Sequence, residues 1–301
     1  MKPDSKLAQK IEKGDFVITA EFLPQVETNG QTIHSVTKLM GKNVIAALNV
    51  ADNHYGIVMS SMAASAKLCS EGVEPIFQMV TRDRNRIALQ SDLMGAVSLG
   101  IKNVLCLTGY HQSLTGNEAS ANVFDIDSIQ LISLVKRMRD EGCLLDGTSI
   151  KGDFGMLIGA VANPFMTPLE LNMIRLAKKV EAGAEFIQTQ AVFDCESFEK
   201  WMAAAETEGI TEKTAILAGV MPLENADEAK KHCEMYTDFV IPEKIIERME
   251  KAGEAEAQKK EGRAIFSETI QNLKTIKGLR GIHILSGGKE TQIPELLAAV
   301  I

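Results

Sequence analysis

The chain has 301 residues, 45% hydrophobic and 24% charged, with a net charge of −8. It is long enough for one large α/β barrel or two ordinary domains, and its acidic balance argues against nucleic acid or an anionic membrane as a partner of the whole surface. No run reaches the ~18 apolar residues of a membrane span, and Met1-Lys-Pro-Asp-Ser-Lys6 lacks the apolar stretch of an export signal, so a cytoplasmic protein is expected.

Short apolar runs alternate with longer helical patterns. The first run, Val17–Pro24, carries Thr19 and Glu21. A carboxyl group between Ala20 and Phe22 is desolvated, which raises its pKa and suits a general acid. The alternative is a Glu bound to an Arg inside the fold. The second run, Val44–Val50, brings Asn49, with Asp52 just beyond. The third, Pro75–Thr81, brings Gln78 and leads into Thr81-Arg-Asp-Arg-Asn-Arg86. Three closely spaced Arg suit bidentate contacts to phosphate or carboxylate, and a surface ion-pair cluster with Asp83 and Asp92 fits the residue counts equally well. The fourth run, Asn103–Gly109, ends on Thr108 and Gly109 and is followed by Tyr110 and His111.

An amphipathic stretch over Asp125–Asp140 follows, with Asp127 as its N-cap. The fifth run, Phe154–Asn163, ends on Asn163 and Pro164. A helix is expected over Pro168–Ala182, with Thr167 as N-cap and a stripe of Leu171, Ile174, Leu176, Ala177 and Val180. Lys178 and Lys179 on it read by themselves as solvated. The sixth run, Phe186–Asp194, is the most informative, because it places Gln188, Thr189 and Gln190 inside an apolar strand. A buried amide without a partner costs about 1–3 kcal/mol, and residues two apart on a strand share a face. The strand therefore holds a private polar network or presents amides to a ligand. Ala215–Leu223 and Gly281–Gly287 complete the set of eight, the last bringing Ser286, Gly287 and Gly288. An extra helical segment, about Glu254–Lys277, fills the long gap before the last strand, and its charged start reads as a solvated face.

Eight strand–helix units with strands apolar on both faces predict a (β/α)8 TIM barrel, one catalytic domain over residues 1–301. An open doubly wound sheet is the alternative, without the Gly-x-Gly-x-x-Gly that would favour it. In a barrel the site lies at the C-terminal ends of the strands, where these polar residues fall. Cys69, Cys106, Cys143, Cys195 and Cys233 are scattered and odd in number, which argues for reduced thiols and against a zinc or iron–sulfur site in this chain. Cys69, Cys143 and Cys233 fall in helical patterns. The five His show no metal spacing, and no nucleophile elbow or P-loop is present. Acid–base or redox chemistry on a bound cofactor is expected, and no metal.

Ala20-Glu-Phe-Leu-Pro24, the Thr81–Asp92 segment, Asn103–Gly109, Lys179–Ala184, Thr189-Gln190 and Phe193-Asp194 together resemble the methylenetetrahydrofolate reductase family, in its short bacterial form without a regulatory domain. The resemblance runs from Phe16 to Ile284. It implies a flavin-dependent barrel that reduces 5,10-methylenetetrahydrofolate to 5-methyltetrahydrofolate by hydride transfer, with Glu21 as the acid that protonates the leaving N10. It implies Gln190 and Tyr110 at the substrate, and Asn49, Gln78, Thr108, Gly109, Asn163 and Lys179 at the flavin, with Arg82 as their neighbour. The cofactor is expected to be FAD, with FMN as the other option. The donor is NADH or NADPH, or a reduced iron–sulfur partner subunit, and the chain is expected to be an oligomer.

Three positions depart from the family pattern. Tyr110 stands where an Asp often follows Thr-Gly, which implies a raised flavin potential and altered handling of substrate at that edge. The first motif ends Leu-Pro-Gln25 rather than Phe-Pro-Pro, and Asn163 replaces a Tyr found in some members. Two other readings are a pterin-binding methyltransferase barrel acting with a corrinoid protein, and a relative with altered or lost flavin use that depends on a partner. The flavin-type motifs speak against the first, and Glu21 with Gln190 against the second.

Overall fold

A computed structural model describes residues 3–39, 44–54, 56–235 and 240–298. Eight parallel strands close in chain order into a barrel: β1 (Val17–Phe22), β2 (Ala47–Val50), β3 (Pro75–Val80), β4 (Asn103–Leu107), β5 (Leu157–Ala162), β6 (Phe186–Ala191), β7 (Ala215–Val220) and β8 (Leu279–Ile284). The ring closes where Val17 of β1 pairs with Gly281 of β8. The helices are α1 (Lys6–Lys13), α2 (Gly30–Leu39), α3 (Ser61–Ser70), α4 (Arg86–Ser98), α5 (Ser128–Asp140), α6 (Leu169–Ala182), α7 (Cys195–Thr207), α8 (Ala226–Met235), α9 (Glu243–Lys251), α10 (Ala255–Lys274) and α11 (Ile293–Ala298). The extra helical segment before the last strand is present as α10.

Strand residues pointing outward pack under the helices in the main core, which runs through Leu48, Phe77, Val104, Ile158, Ile187, Ile216 and Ile282. Those pointing inward fill the lower lumen with Val17, Ile76, Leu105, Leu157, Phe186 and Leu217, and Leu7 of α1 packs among them. α1 thereby stoppers the N-terminal end. Its first N–H groups, on Lys6 and Leu7, donate to the Glu74 carboxylate at 2.7 and 3.0 Å, which satisfies donors that a helix start leaves open. Gly159 makes room for Phe186, since a Cβ there would lie 2.2 Å from the ring.

The structure corrects several local expectations. Four strands, β1, β4, β6 and β7, end two to three residues before their apolar runs, as at Leu107, where Thr108 and Gly109 leave the ladder to line the mouth, while β2 and β5 start three residues later, at Ala47 and Leu157. β8 likewise begins at Leu279 and ends at Ile284. Asp127 caps α5 in a capping box with Gln130, but α6 starts at Leu169 with Pro168 rather than Thr167 at its N-cap. On α6 the buried residues are Asn172, Met173 and Leu176, while Leu171 and Ile174 are exposed. The helix turns Asn172 inward because its amide donates to the carbonyls of Asn163 (2.7 Å) and Met166 (3.2 Å), tying down the loop after β5. Cys143 lies outside any helix, in an antiparallel bridge with Ser149.

Candidate active site

At the C-terminal mouth the lumen opens into a cavity of about 330 Å³. Glu21, Asn49, Gln78, Arg82, Thr108, Gly109, Tyr110, Asn163, Lys179 and Gln190 all line it, so residues spread over 170 positions of sequence meet at one place. Leu105, Leu107, Val161 and Leu285 give it apolar walls.

Glu21 stands at the end of β1, opposite Asn49 in the β1–β2 register. It is 8% exposed. Burial pushes its carboxyl from the ordinary 4.5 up to about 7; a bond from the Gly287 amide opposes the shift and the nearby Glu290 charge adds to it. The Gly287 N–H donates to Oε2 at 3.4 Å. Near neutral pH this carboxyl is poised to give or take a proton.

Beneath it lies a buried polar floor. Asn49 Nδ2 donates to Gln188 Oε1 at 2.8 Å, and Gln188 Nε2 lies 3.3 Å from both Thr19 Oγ1 and His283 Nδ1. Thr19 Oγ1 and His283 Nδ1 are 3.0 Å apart. Burial drives the His283 pKa down to about 3, so the ring is neutral. Asn49 Oδ1 is buried and has no partner, leaving an acceptor aimed at a donor that the floor does not supply.

The two glutamines of the polar β6 strand part company. Gln188 belongs to the floor network, and Gln190 is on the cavity wall. Between them the β6–β7 register shifts. There the Gly219 N–H donates to Thr189 Oγ1 at 2.9 Å, a side chain standing in for a ladder carbonyl.

The three Arg divide as well. Arg84 is gripped by Asp52 (2.6 Å) and Asp92 (2.9 Å), and Arg86 by Asp125 (2.8 Å), so the ion-pair reading holds for these two. Arg82 is buried. Its guanidinium spends its donors on Asp83 (2.7 and 2.8 Å), the Asn53 carbonyl (2.9 Å) and the Tyr110 carbonyl (3.3 Å). It fixes the loops after β2, β3 and β4 from within the cavity wall.

Thr108 Oγ1 accepts the Ser128 N–H at 3.1 Å, docking the start of α5 on the site. Gly109 has φ +88° and passes so close to Arg82 that a Cβ would lie 3.1 Å from the Arg82 Cβ; both facts call for glycine. Tyr110 meets His54 edge to face, ring centroids 5.6 Å apart. Lys179 is not solvated: its ammonium donates to the Val161 carbonyl at 2.6 Å, and burial lowers its pKa, with Arg175 adding to the effect. Asn163 Oδ1 accepts the Phe165 N–H at 3.0 Å.

His54, Ser128 and His283 also line the cavity and are not singled out by sequence reasoning. The usable signal was at His283, a polar residue in an apolar strand two positions before Leu285, the same pattern that marks Glu21. His54 and Ser128 lie outside the strands and carry no such mark.

The closed parallel barrel, with a near-neutral carboxyl and convergent amides at its C-terminal mouth, places the chain among the (β/α)8 proteins whose site is built on the strand ends. Comparison with known proteins narrows this. Residues 6–300 match the family described as methylenetetrahydrofolate reductase, and the chain belongs to that family. It is 24% identical over 249 residues to a Caenorhabditis elegans protein named "Probable methylenetetrahydrofolate reductase (NADPH)", a match that takes in 81% of this chain and 35% of the relative. It is 24% identical over 215 residues to the 5,10-methylenetetrahydrofolate reductase of Salmonella typhimurium, taking in 70% of this chain and 65% of the relative. The matches therefore span less than two thirds of the length of these relatives. A solved Clostridium thermocellum protein, described as binding two copies of 5-methyl-5,6,7,8-tetrahydrofolic acid, shares the fold with a TM-score of 0.65 at 13% identity, over 97% of each chain.

Proposed function

We propose that this chain reduces 5,10-methylenetetrahydrofolate to 5-methyltetrahydrofolate on a bound flavin, with Glu21 as the general acid. The observation that carries the reading is the state of Glu21. It is buried and its pKa is raised to about 7, so about half of the molecules hold its proton at neutral pH for a nitrogen leaving group. Family membership supplies the substrate class.

The cavity fits a flavin ring. Its size is within the usual range of small-molecule sites, ~300–1,000 Å³, and its apolar walls suit a flat conjugated system. The orphaned Asn49 Oδ1 would accept an N–H of the ring edge. Gln78, Thr108, Gly109 and Asn163 would line the same ring, and Lys179 would offer a positive charge to the cofactor's anionic parts. When bound, the flavin supplies the hydride. Gln190, on the wall, would orient the pterin of the folate, and Tyr110 with His54 would close that edge. FAD is the family's cofactor and is preferred to FMN. NADH or NADPH would recharge the flavin, with a reduced iron–sulfur partner as the other source. Work in the cytoplasm, as an oligomer, belongs to the same proposal. Among the described residues no helix is long and apolar enough to cross a membrane.

An absorption spectrum of the purified chain, with and without FAD or FMN, tests this. A flavin band that bleaches on reduction and returns with methylenetetrahydrofolate supports cofactor and reaction together. A chain that takes up neither flavin would overturn the proposal and favour the corrinoid-linked methyltransferase.

A further inference from the structure

The β1–β8 ladder stops at Ala20 and Ile284, one residue below Glu21. Above that point the two strand ends, which carry the acid and the turn that touches it, are joined by side chains. Glu290 supplies the main tie. Its Oε1 accepts the Leu23 N–H at 2.8 Å and the Ser286 hydroxyl at 3.3 Å. Leu23 lies two residues after Glu21, and Ser286 precedes Gly287, whose N–H donates to Glu21. The Ser286 oxygen also accepts the Gly288 N–H at 3.2 Å, which tightens the turn. One buried oxygen thus holds both backbones that define where the Glu21 carboxyl sits.

We infer that Glu290 is a positioning residue for Glu21: it clamps the end of β1 to the turn after β8 and so sets the distance between the Glu21 carboxyl and the Gly287 amide. The inference rests on Glu21 being the acid of the proposed reaction. The clamp has a second effect, because Glu290 brings a like charge close to Glu21, which disfavours ionisation there. Of the titratable groups around Glu21, Asp52, His54, Arg82, Tyr110, Lys179 and His283 share its cavity and Glu290 stands behind the turn. The Glu290 charge adds to the raised Glu21 pKa. An apolar residue at 290 would leave the Leu23 N–H and the Ser286 hydroxyl unpaired. A glutamine would keep the acceptor and drop the charge.

That difference gives the test. In the full chain, the Glu21 carboxyl stretch is identified by infrared difference against Glu21→Gln and titrated in wild type, Glu290→Gln and Glu290→Ala. The folate half-reaction is then followed against pH in the same proteins. Glu290→Gln should lower the Glu21 midpoint and move the alkaline loss of the half-reaction to lower pH, with the rate at acid pH kept. Glu290→Ala should also slow the half-reaction at every pH, by about tenfold to a hundredfold, as expected for a misplaced catalytic group. A wild-type half-reaction rate in Glu290→Ala overturns the inference; if that variant fails to fold, Ser286→Ala, which removes one arm of the clamp, should slow the half-reaction in its place and overturns the inference if it does not, while an unchanged Glu21 midpoint in Glu290→Gln overturns the effect of the charge. If wild type itself turns over no folate, the proposed function fails, while the infrared midpoint still decides whether Glu290 governs Glu21.

Discussion

Toward its N-terminal end the lumen holds Val17, Ile76, Leu157, Phe186 and Leu217, with Leu7 beneath them. Above them the strands present Glu21, Asn49, Gln78, Gln188, Gln190 and His283. The lower half is specified by volume: each residue is placed by what it displaces, as Phe186 is by the missing side chain of Gly159. The upper half is specified by hydrogen bonding, and it leaves one acceptor, Asn49 Oδ1, unanswered. Two residues along a strand separate a region that answers to packing from one that answers to chemistry. Substitutions in the two halves should therefore register in different measurements.

The largest effect should come from Glu21→Gln. Stopped-flow measurement should show the folate half-reaction slowed by about 10²–10⁴-fold, the usual contribution of a general acid, with flavin reduction by its donor nearly intact. A variant in which both half-reactions run as in wild type would move the acid elsewhere.

The same variant separates chemistry from stability. The Glu21 carboxyl titrates near 7 when folded, against an ordinary value of 4.5. Below about 4.5 both states are protonated and nothing is lost. As pH rises through the window to about 7 the unfolded chain releases its proton first, so stability falls. Urea melts without cofactor should thus find Glu21→Gln more stable than wild type at pH 8, by on the order of 3 kcal/mol, with the gap closing toward pH 4. A constant gap across that range would mean that Glu21 is not buried in its neutral form.

In the lower half, Gly159→Ala should cost about 1–3 kcal/mol by overpacking against Phe186, read as a lower urea midpoint, with activity per folded molecule kept. On the floor, Gln188→Leu should cost about 1–3 kcal/mol through the stranded Asn49 amide and should also weaken flavin uptake. A loss of stability with flavin affinity unchanged would assign the floor to the packing half. The smallest effect is expected at Ile174→Ser, within about 0.5 kcal/mol, because this side chain is 52% exposed. A larger loss would mean that another surface covers it.

The eight strands were legible because a parallel sheet covered on both sides needs apolar residues on both faces, and that pattern survives without knowledge of the fold. Glu21 was legible for the converse reason, as a charge in such a run. What stayed hidden depended on partners far away in the chain. The three Arg look alike in sequence, and only the placement of Asp52, Asp92 and Asp125 tells that Arg84 and Arg86 are spent while Arg82 lines the cavity. The phase of α6 was misread because Asn172 faces inward to bond two loop carbonyls, and a stripe of apolar letters carries no trace of that. Lys179 looked solvated until the Val161 carbonyl appeared beside it. His283 was overlooked because the search among histidines was for metal spacing.

The Glu74 carboxylate that binds the first N–H groups of α1 also accepts the Asn103 amide at 3.0 Å, so the stopper is anchored to the starts of β3 and β4. During synthesis those partners emerge early, and the anchor of α1 is available for assembly once β4 is made. The wall is not: β1 must wait for β8 to pair along its second edge. For most of translation the nascent chain would carry an unpaired strand edge beside a base still waiting for Leu157, Phe186 and Leu217, the kind of edge that recruits other chains. Ribosome-bound intermediates should therefore need shielding on the β1 side in particular, and should lose that need when the last strand is released.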